Sequence, residues 1–234
     1  MSNLISVVII AKNEEKYIES AVRSAQFANE ILVLDSGSTD NTCNIANALG
    51  ARVEYHDWLG YGRQKNKAIE LATNDWIFVL DSDERITEKL KFEILEILEN
   101  PTCDGFFVAR LNYFFGKYIK TCGLYPDYSI RLFNKKKGRF NDVEVHESVQ
   151  INGDKGKLKN HMIHLAYETV DEFIIKQKHY ASLSTKKKNI FKAIFGSFWT
   201  FVKLYFIKLG FLEGFDGFKI ALIYAKYTYW KYIK

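Results

Sequence analysis

The first hundred residues alternate short apolar runs with amphipathic stretches. Leu4-Ile5-Ser6-Val7-Val8-Ile9-Ile10 is the kind of run that forms a strand buried on both faces, and the segment that starts near Asn13 and carries Tyr17, Ile18 and Val22 has helical spacing. Glu30-Ile31-Leu32-Val33-Leu34-Asp35 predicts a second strand, residues 40–49 a helix, and Arg52-Val53-Glu54-Tyr55 a third strand. A helix over about 64–72 then leads into Trp76-Ile77-Phe78-Val79-Leu80, a fourth strand. Strand and helix in regular alternation predict a parallel sheet covered on both faces, an α/β fold. Beyond a helix over 88–99 the pattern becomes mixed, with strand-like stretches at 105–115, 128–133 and 158–165 and a helix over about 169–188.

In an open α/β sheet, ligands bind beyond the carboxyl ends of the strands. Three of these strands run out into Lys12-Asn13-Glu14, Asp35 and Asp81-Ser82-Asp83-Glu84. Residues two apart in an extended segment share a face, so Asp81 and Asp83 can offer two carboxylates to one hard cation such as Mg²⁺ or Mn²⁺. Such a cation fills its other positions with substrate phosphates and water. The same tetrapeptide also reads as an acidic loop capping the next helix. Asp35, before Ser36-Gly37-Ser38-Thr39, is a good turn residue and equally an acceptor for a ribose hydroxyl or a base N–H. The first strand-to-helix turn has neither a GxGxxG nor a P-loop pattern, which argues against a dinucleotide cofactor and against phosphates gripped by a glycine-rich loop. A nucleotide bound here needs a metal for its phosphates. His161 and His164 point to opposite faces of a strand, so at most one of them is a ligand.

Composition adds a second theme. Of 234 residues 47% are hydrophobic, 26% charged and only two are proline, which excludes disordered and collagen-like chains, while 15% are aromatic. Residues 1–175 carry 21 Lys/Arg against 26 Asp/Glu; residues 176–234 carry 12 lysines against Glu213 and Asp216 alone. This basic tail also holds Phe191, Phe195, Phe198, Trp199, Tyr227, Tyr229, Trp230 and Tyr232, and lysines among aromatics point to a membrane surface or a nucleic acid. Lys192, Lys203, Lys208, Lys219 and Lys226 interrupt it, so no stretch of eighteen uncharged apolar residues is present. On a helix, Lys192, Gly196, Thr200 and Lys203 share one face and Phe191, Ile194, Phe195, Phe198, Trp199, Val202 and Tyr205 cover the rest. Of three readings (a span, a core element, a helix in the membrane interface) this pattern favours the third. The expected domains are a catalytic one over 1–188 and an amphipathic, membrane-associating helical extension over 189–234. Three cysteines without CxxC spacing suit a reducing compartment, and the early first strand leads to the expectation of no signal peptide.

Ser6-Val7-Val8-Ile9-Ile10-Ala11-Lys12-Asn13-Glu14, Ile31-Leu32-Val33-Leu34-Asp35-Ser36-Gly37-Ser38-Thr39-Asp40, Gln64-Lys65-Asn66 and Leu80-Asp81-Ser82-Asp83-Glu84 together resemble the successive blocks of family 2 glycosyltransferases with the GT-A fold. The resemblance implies a three-layer α/β sandwich with a mixed sheet, and an inverting transferase that takes a sugar from a nucleoside diphosphate. By position, Asn13, Glu14 and Asp35 would contact the donor's nucleoside with Lys65 near it, and Asp81 and Asp83 would serve the diphosphate and its divalent metal. The third block usually reads Arg-Asn; Lys65 gives up the bidentate contact.

Gly123-Leu124-Tyr125-Pro126-Asp127-Tyr128-Ser129-Ile130-Arg131-Leu132-Phe133, Val145-His146-Glu147, His164 and Gly210-Phe211-Leu212-Glu213-Gly214 are similar to the lipopolysaccharide-core β-glucosyltransferase subfamily. This implies Glu147 as catalytic base, His164 as a metal ligand beside Asp81 and Asp83, a UDP-sugar such as UDP-glucose as donor and a glycolipid as acceptor. It also implies a cytoplasmic enzyme on the inner face of the cytoplasmic membrane, with no nucleic-acid partner. Rival readings are a polyprenyl-phosphate sugar synthase, for which a general base is dispensable, a sugar-phosphate nucleotidyltransferase, whose glycine-rich N-terminal loop is missing, and a non-catalytic membrane- or nucleic-acid-binding α/β module. Asp35, Asp81, Asp83 and Glu147 together speak against the last.

Overall fold

The computed structural model describes residues 3–141 and 147–233. In chain order the elements are β1 Ile5–Ala11, α1 Glu15–Ser24, β2 Glu30–Asp35, α2 Thr42–Ala48, β3 Arg52–Tyr55, α3 Tyr61–Leu71, β4 Trp76–Val79, β5 Glu84–Ile86 and α4 Glu88–Glu99. There follow β6 Gly105–Phe114, β7 Lys117–Ile119, β8 Asp127–Asn134, β9 Gly138–Phe140, β10 Val149–Ile151, β11 Lys155–Tyr167, α5 Val170–Leu183, α6 Ile190–Val202 and α7 Phe215–Ile233. The chain divides into two compact units, residues 1–110 with 128–164 and residues 111–127 with 165–234.

A mixed sheet in the order β3-β2-β1-β4-β8-β6-β11-β5 organises the first unit. β1 pairs in parallel with β2 and β4, placing Val8 beside both Leu32 and Val79, whereas β8 joins β4 and β5 joins β11 antiparallel. The apolar run of β1 has a simple cause. Val7 and Ile9 pack with Ile18, Val22, Ala46, Leu90 and Ile94 of α1, α2 and α4, and Val8 packs with Leu32, Ala68, Ile69 and Phe133 on the α3 side. Each fully buried Val, Leu, Ile or Phe among them contributes about 1.5–3 kcal/mol. The sheet is therefore covered on both faces, as an α/β fold of the GT-A kind requires, and its parallel strands β1, β2, β3 and β4 deliver their carboxyl ends to one edge.

β2 and β3 fall where the pattern puts them; α3 starts at Tyr61, three residues ahead of the expected helix, directly after Gly60 at φ 93°. The three-residue strands β5, β7, β9 and β10 were not expected, being too short to show a period. One expectation fails in a way that matters for chemistry. Residues 81–84 are not extended but form a turn in which the Glu84 N–H donates to the Asp81 carbonyl at 2.9 Å. Asp81 and Asp83 consequently have different partners.

The second unit is built on rings. Phe173 of α5 lies 4.4 Å from Tyr167, 5.3 Å from Phe114 and 5.2 Å from Tyr224, centroid to centroid. Antiparallel α6 and α7 are tied by the Asn189 N–H on the Tyr232 carbonyl (2.9 Å) and by the hydroxyls of Thr200 and Thr228 (3.2 Å). Gly196 and Thr200, on the face expected to be polar, meet Thr228 of α7. The aromatic face turns outward: Phe191 is 73% and Phe198 66% exposed, and Ala193 is the one buried residue of α6. Through a π turn at Lys203–Ile207 the helix continues, making Ile190–Ile207 an 18-residue run of mean hydropathy 1.4. By length and composition this run suffices to cross a membrane, although Lys192 and Lys203 lie within it.

Candidate active site

Two loops clasp each other at the ends of β1 and β2. Asn13, in the left-handed region at φ 56°, accepts the Thr39 N–H on its side-chain oxygen at 2.8 Å and donates its own N–H to the Ser38 hydroxyl at 2.8 Å. The Glu14 N–H donates to the Thr42 hydroxyl at 2.7 Å, and Glu14 caps α1 through its carbonyl. Asp35 is buried and accepts the N–H groups of Gly37 and Ser38, both at 2.8 Å, as well as the Ser38 hydroxyl. Gly37 at φ 87° lets the chain make that turn. The turn-forming alternative for Asp35 is thus realised, with the three residues Asn13, Glu14 and Asp35 gathered in one loop cluster.

At the end of β4 the charges come together. α3 carries Lys65, 5% exposed, whose ammonium lies 2.9 Å from Asp81 Oδ1 and 3.1 Å from Glu147 Oε1. The other oxygen of Asp81 accepts from Arg131 of β8 at 3.0 Å, and the same guanidinium nitrogen reaches Glu84 Oε1 at 2.6 Å. Burial pushes the Asp81 carboxyl up, but Lys65 and Arg131 outweigh it and hold Asp81 well below the usual carboxylate range. For Lys65 burial works downward, and the attraction of Asp81 and Glu147 leaves its ammonium above its ordinary value. Asp81 keeps 28% of its side chain exposed, so a ligand can reach it.

Glu147 is held over the site by its neighbours. Asn66, one residue after Lys65, donates to the Phe140 carbonyl at 2.9 Å and accepts the Phe140 N–H at 2.8 Å, pinning β9, which precedes the Glu147 segment. Gly62 allows the close approach: a Cβ there would fall 2.6 Å from the Asn141 carbonyl oxygen and 3.5 Å from Glu147 Cβ. Val145 and His146 of the same motif lie outside the described residues.

Asp83 has a separate partner. Its Oδ2 lies 3.3 Å from Nε2 of His164, which stands on β11 in register with Glu84, and both side chains are partly exposed. A carboxylate oxygen beside an imidazole nitrogen is a donor set a divalent cation accepts. Among the described residues no three His, Cys, Asp or Glu side chains stand together as a complete set, so such an ion would take its remaining ligands from phosphate and water.

The family model for glycosyl transferase family 2 matches residues 6–183, spanning this whole constellation. The chain belongs to that family. This glycosyltransferase is 33% identical over 241 residues to an uncharacterized glycosyltransferase of Rickettsia typhi, covering 94% of this chain and 82% of the relative. It is 30% identical to the lipopolysaccharide core biosynthesis glycosyltransferase LpsC of Rhizobium meliloti, over 96% of this chain and 89% of LpsC. Among solved structures, S. aureus TarS (residues 1–349) superposes with a TM-score of 0.51 at 17% identity, over 76% of this chain and 64% of that one. At that identity the likeness speaks for the fold alone, and it agrees with the mixed-sheet α/β architecture of the glycosyltransferase.

Residue patterns did not single out Arg131, Glu84 or Gly62 for a role in the site. The signal for Arg131 was present, a charged residue inside the apolar strand Ile130-Arg131-Leu132-Phe133, because a buried arginine requires acidic partners.

Proposed function

We propose that this glycosyltransferase is an inverting enzyme that moves glucose from UDP-glucose to a hydroxyl of a saccharide carried by a membrane glycolipid of the lipopolysaccharide-core class. The observation that carries the reading is the pair of carboxylates on one ammonium: Glu147 and Asp81 both lie within 3.1 Å of Lys65 Nζ. Glu147 accepts the proton of the acceptor hydroxyl as its oxygen bonds to the anomeric carbon. The bond from that carbon to the diphosphate breaks at the same time, the electron pair leaving with the diphosphate and the configuration inverting. Asp81, balanced by Lys65 and Arg131, borders the diphosphate; Asn13, Glu14 and Asp35 border the nucleoside. Asp83 and His164 would hold a divalent cation, which when bound supplies positive charge against the leaving diphosphate. The part LpsC plays in lipopolysaccharide core biosynthesis supports the acceptor class.

The acceptor side of the reading rests on α6. A helix that turns Gly196 and Thr200 toward its neighbour and Phe191, Phe195, Phe198 and Trp199 toward solvent has the polarity of a lipid-facing helix. With 12 lysines against two acids in residues 176–234, it suits the anionic inner face of the cytoplasmic membrane, with the enzyme bound there peripherally. The donor reading is tested by thermal melting against a panel of nucleotide sugars with Mg²⁺ or Mn²⁺. UDP-glucose with metal is expected to raise Tm by mass action. Stabilisation by another nucleotide sugar alone overturns the choice of glucose, and stabilisation by none overturns the donor site.

A further inference from the structure

We infer that Arg131 is a positioning residue of the donor site: it fixes the Asp81 carboxylate and neutralises it so that an anionic diphosphate can approach. This rests on the reading of Asp81 as a donor-side group. Arg131 comes from the middle of β8 and is 5% exposed. A buried cation costs several kcal/mol unless it is paired and hydrogen-bonded, and this one is fully used. Nη2 donates to Asp81 Oδ2 at 3.0 Å and to Glu84 Oε1 at 2.6 Å, and Nε donates to the Ser129 hydroxyl at 3.1 Å.

Glu84 is the strut. It is completely buried, its second oxygen accepts the Asp81 N–H at 3.1 Å, and its own N–H donates to the Asp81 carbonyl at 2.9 Å. Arg110 stands 3.7 Å from the first oxygen. The result is a line of alternating charge, Glu84, Arg131, Asp81, Lys65, Glu147, with Asp81 at its centre held by its N–H and by both carboxylate oxygens. One consequence is geometric: Asp81 has no free rotation, so its exposed edge faces one way. The other is electrostatic. Asp81, Glu84 and Glu147 crowd one strand end that must admit a diphosphate, and Arg131 with Lys65 cancels charge that would repel it. A lysine at 131 would supply the charge as a single point donor and lose the guanidinium plane in which Nη2 serves both carboxylates while Nε holds Ser129.

A purely structural Arg131 would serve only to neutralise Glu84, and a charge-balanced variant separates the two roles. Arg131→Met alone removes the 2.6 Å partner of buried Glu84, leaves it the longer Arg110 contact at 3.7 Å, and lowers Tm. Glu84→Gln with Arg131→Met removes both charges, keeps an oxygen for the Asp81 N–H and restores most of Tm, since replacing a buried pair is often neutral. The readout is the Kd for UDP with Mg²⁺, by calorimetry. The double variant, Arg131→Lys and Asp81→Asn are each expected to bind UDP with Mg²⁺ about tenfold more weakly, the scale of losing one charge-assisted hydrogen bond from a cation-bound water to a correctly aimed Asp81 carboxylate. Adding Asp81→Asn to the double variant is expected to cost little more, because both act on one group. Wild-type affinity in the double variant or in Arg131→Lys, with Asp81→Asn impaired, overturns the positioning role alone. Wild-type affinity in Asp81→Asn overturns the donor-site reading and this inference with it. Should the double variant fail to recover Tm, Arg131→Lys carries the test by itself.

Discussion

The two units break the usual rule of burial in opposite directions. In residues 1–110 with 128–164, charge is inside: Lys65, Glu84 and Arg131 are buried at the end of β4. In residues 111–127 with 165–234, aromatic surface is outside: Phe191, Phe195, Phe198, Trp199, Phe211 and Phe215 are all exposed. Among the described residues no buried side-chain nitrogen or oxygen lacks a partner, so the inner charges are satisfied as they stand. The outer aromatics keep between 46% and 73% of their surface exposed. A buried polar group and an exposed apolar patch are the two informative departures from ordinary packing. Under the proposed function, the first holds the chemistry and the second is the surface that meets the membrane of the acceptor.

The largest effect is expected at the cation pair. Asp83→Asn, or chelation with EDTA, should lower transfer by about a thousandfold, the scale of losing several kcal/mol of charge stabilisation. Melting should change little for Asp83→Asn, because the Asp83 side chain is partly exposed. Full activity in a verified metal-free preparation would break the assignment. Next comes the base: Glu147→Gln keeps the shape and removes the proton acceptor, so kcat at saturating donor should fall about a hundredfold or more with donor KM nearly constant. Retained turnover with lost donor binding would move Glu147 to the donor side, and undiminished transfer to an ionised lipid phosphate would favour the polyprenyl-phosphate reading.

A smaller effect sharpens the first half of the comparison. Gly62→Ala places a Cβ against the Asn141 carbonyl and must shift the segment that carries Glu147. A fall in kcat of about tenfold is expected, with UDP affinity preserved, as befits a base displaced by a fraction of an ångström. If UDP binding falls instead, Gly62 serves the donor pocket. The smallest effect probes the second half. Thr228→Val removes the hydroxyl that meets Thr200 between α6 and α7, at about 1 kcal/mol, so Tm should drop by about 2–4 °C in a chain of this size without loss of transfer.

Periodicity read the fold well where it was long. The alternation from β1 to α4 was legible because seven-residue and ten-residue elements bury one or both faces, while β5, β9 and β10, three residues each, leave no period to read. For the site, the ordered blocks led to Asn13, Glu14, Asp35, Lys65, Asp81, Asp83, Glu147 and His164, and the structure gathers them in three clusters. What sequence could not supply was partnership. Lys65 lies between two carboxylates that no local pattern pairs with it, and Asp81 and Asp83 were expected on one face of an extended segment that is in fact a turn. Partners 50 and 82 positions apart in the chain are set by the sheet order, which no local pattern encodes. On α6 the residue sets were legible but their direction was not, because a helical pattern gives the same two faces whichever one turns inward.

The division of labour between the two units is tested most directly by one comparison of rates. The same acceptor saccharide is presented in anionic vesicles and as a short water-soluble fragment, to the wild type and to the Phe198→Ser, Trp199→Ser variant, with cooperative melting verified for both proteins. Loss of two exposed aromatic anchors should slow transfer on vesicles by at least about tenfold, while transfer to the soluble fragment, which needs no lipid contact, stays within about twofold. Equal rates for the two proteins on vesicles, or an equal loss on both acceptors, would contradict a lipid-facing role for α6.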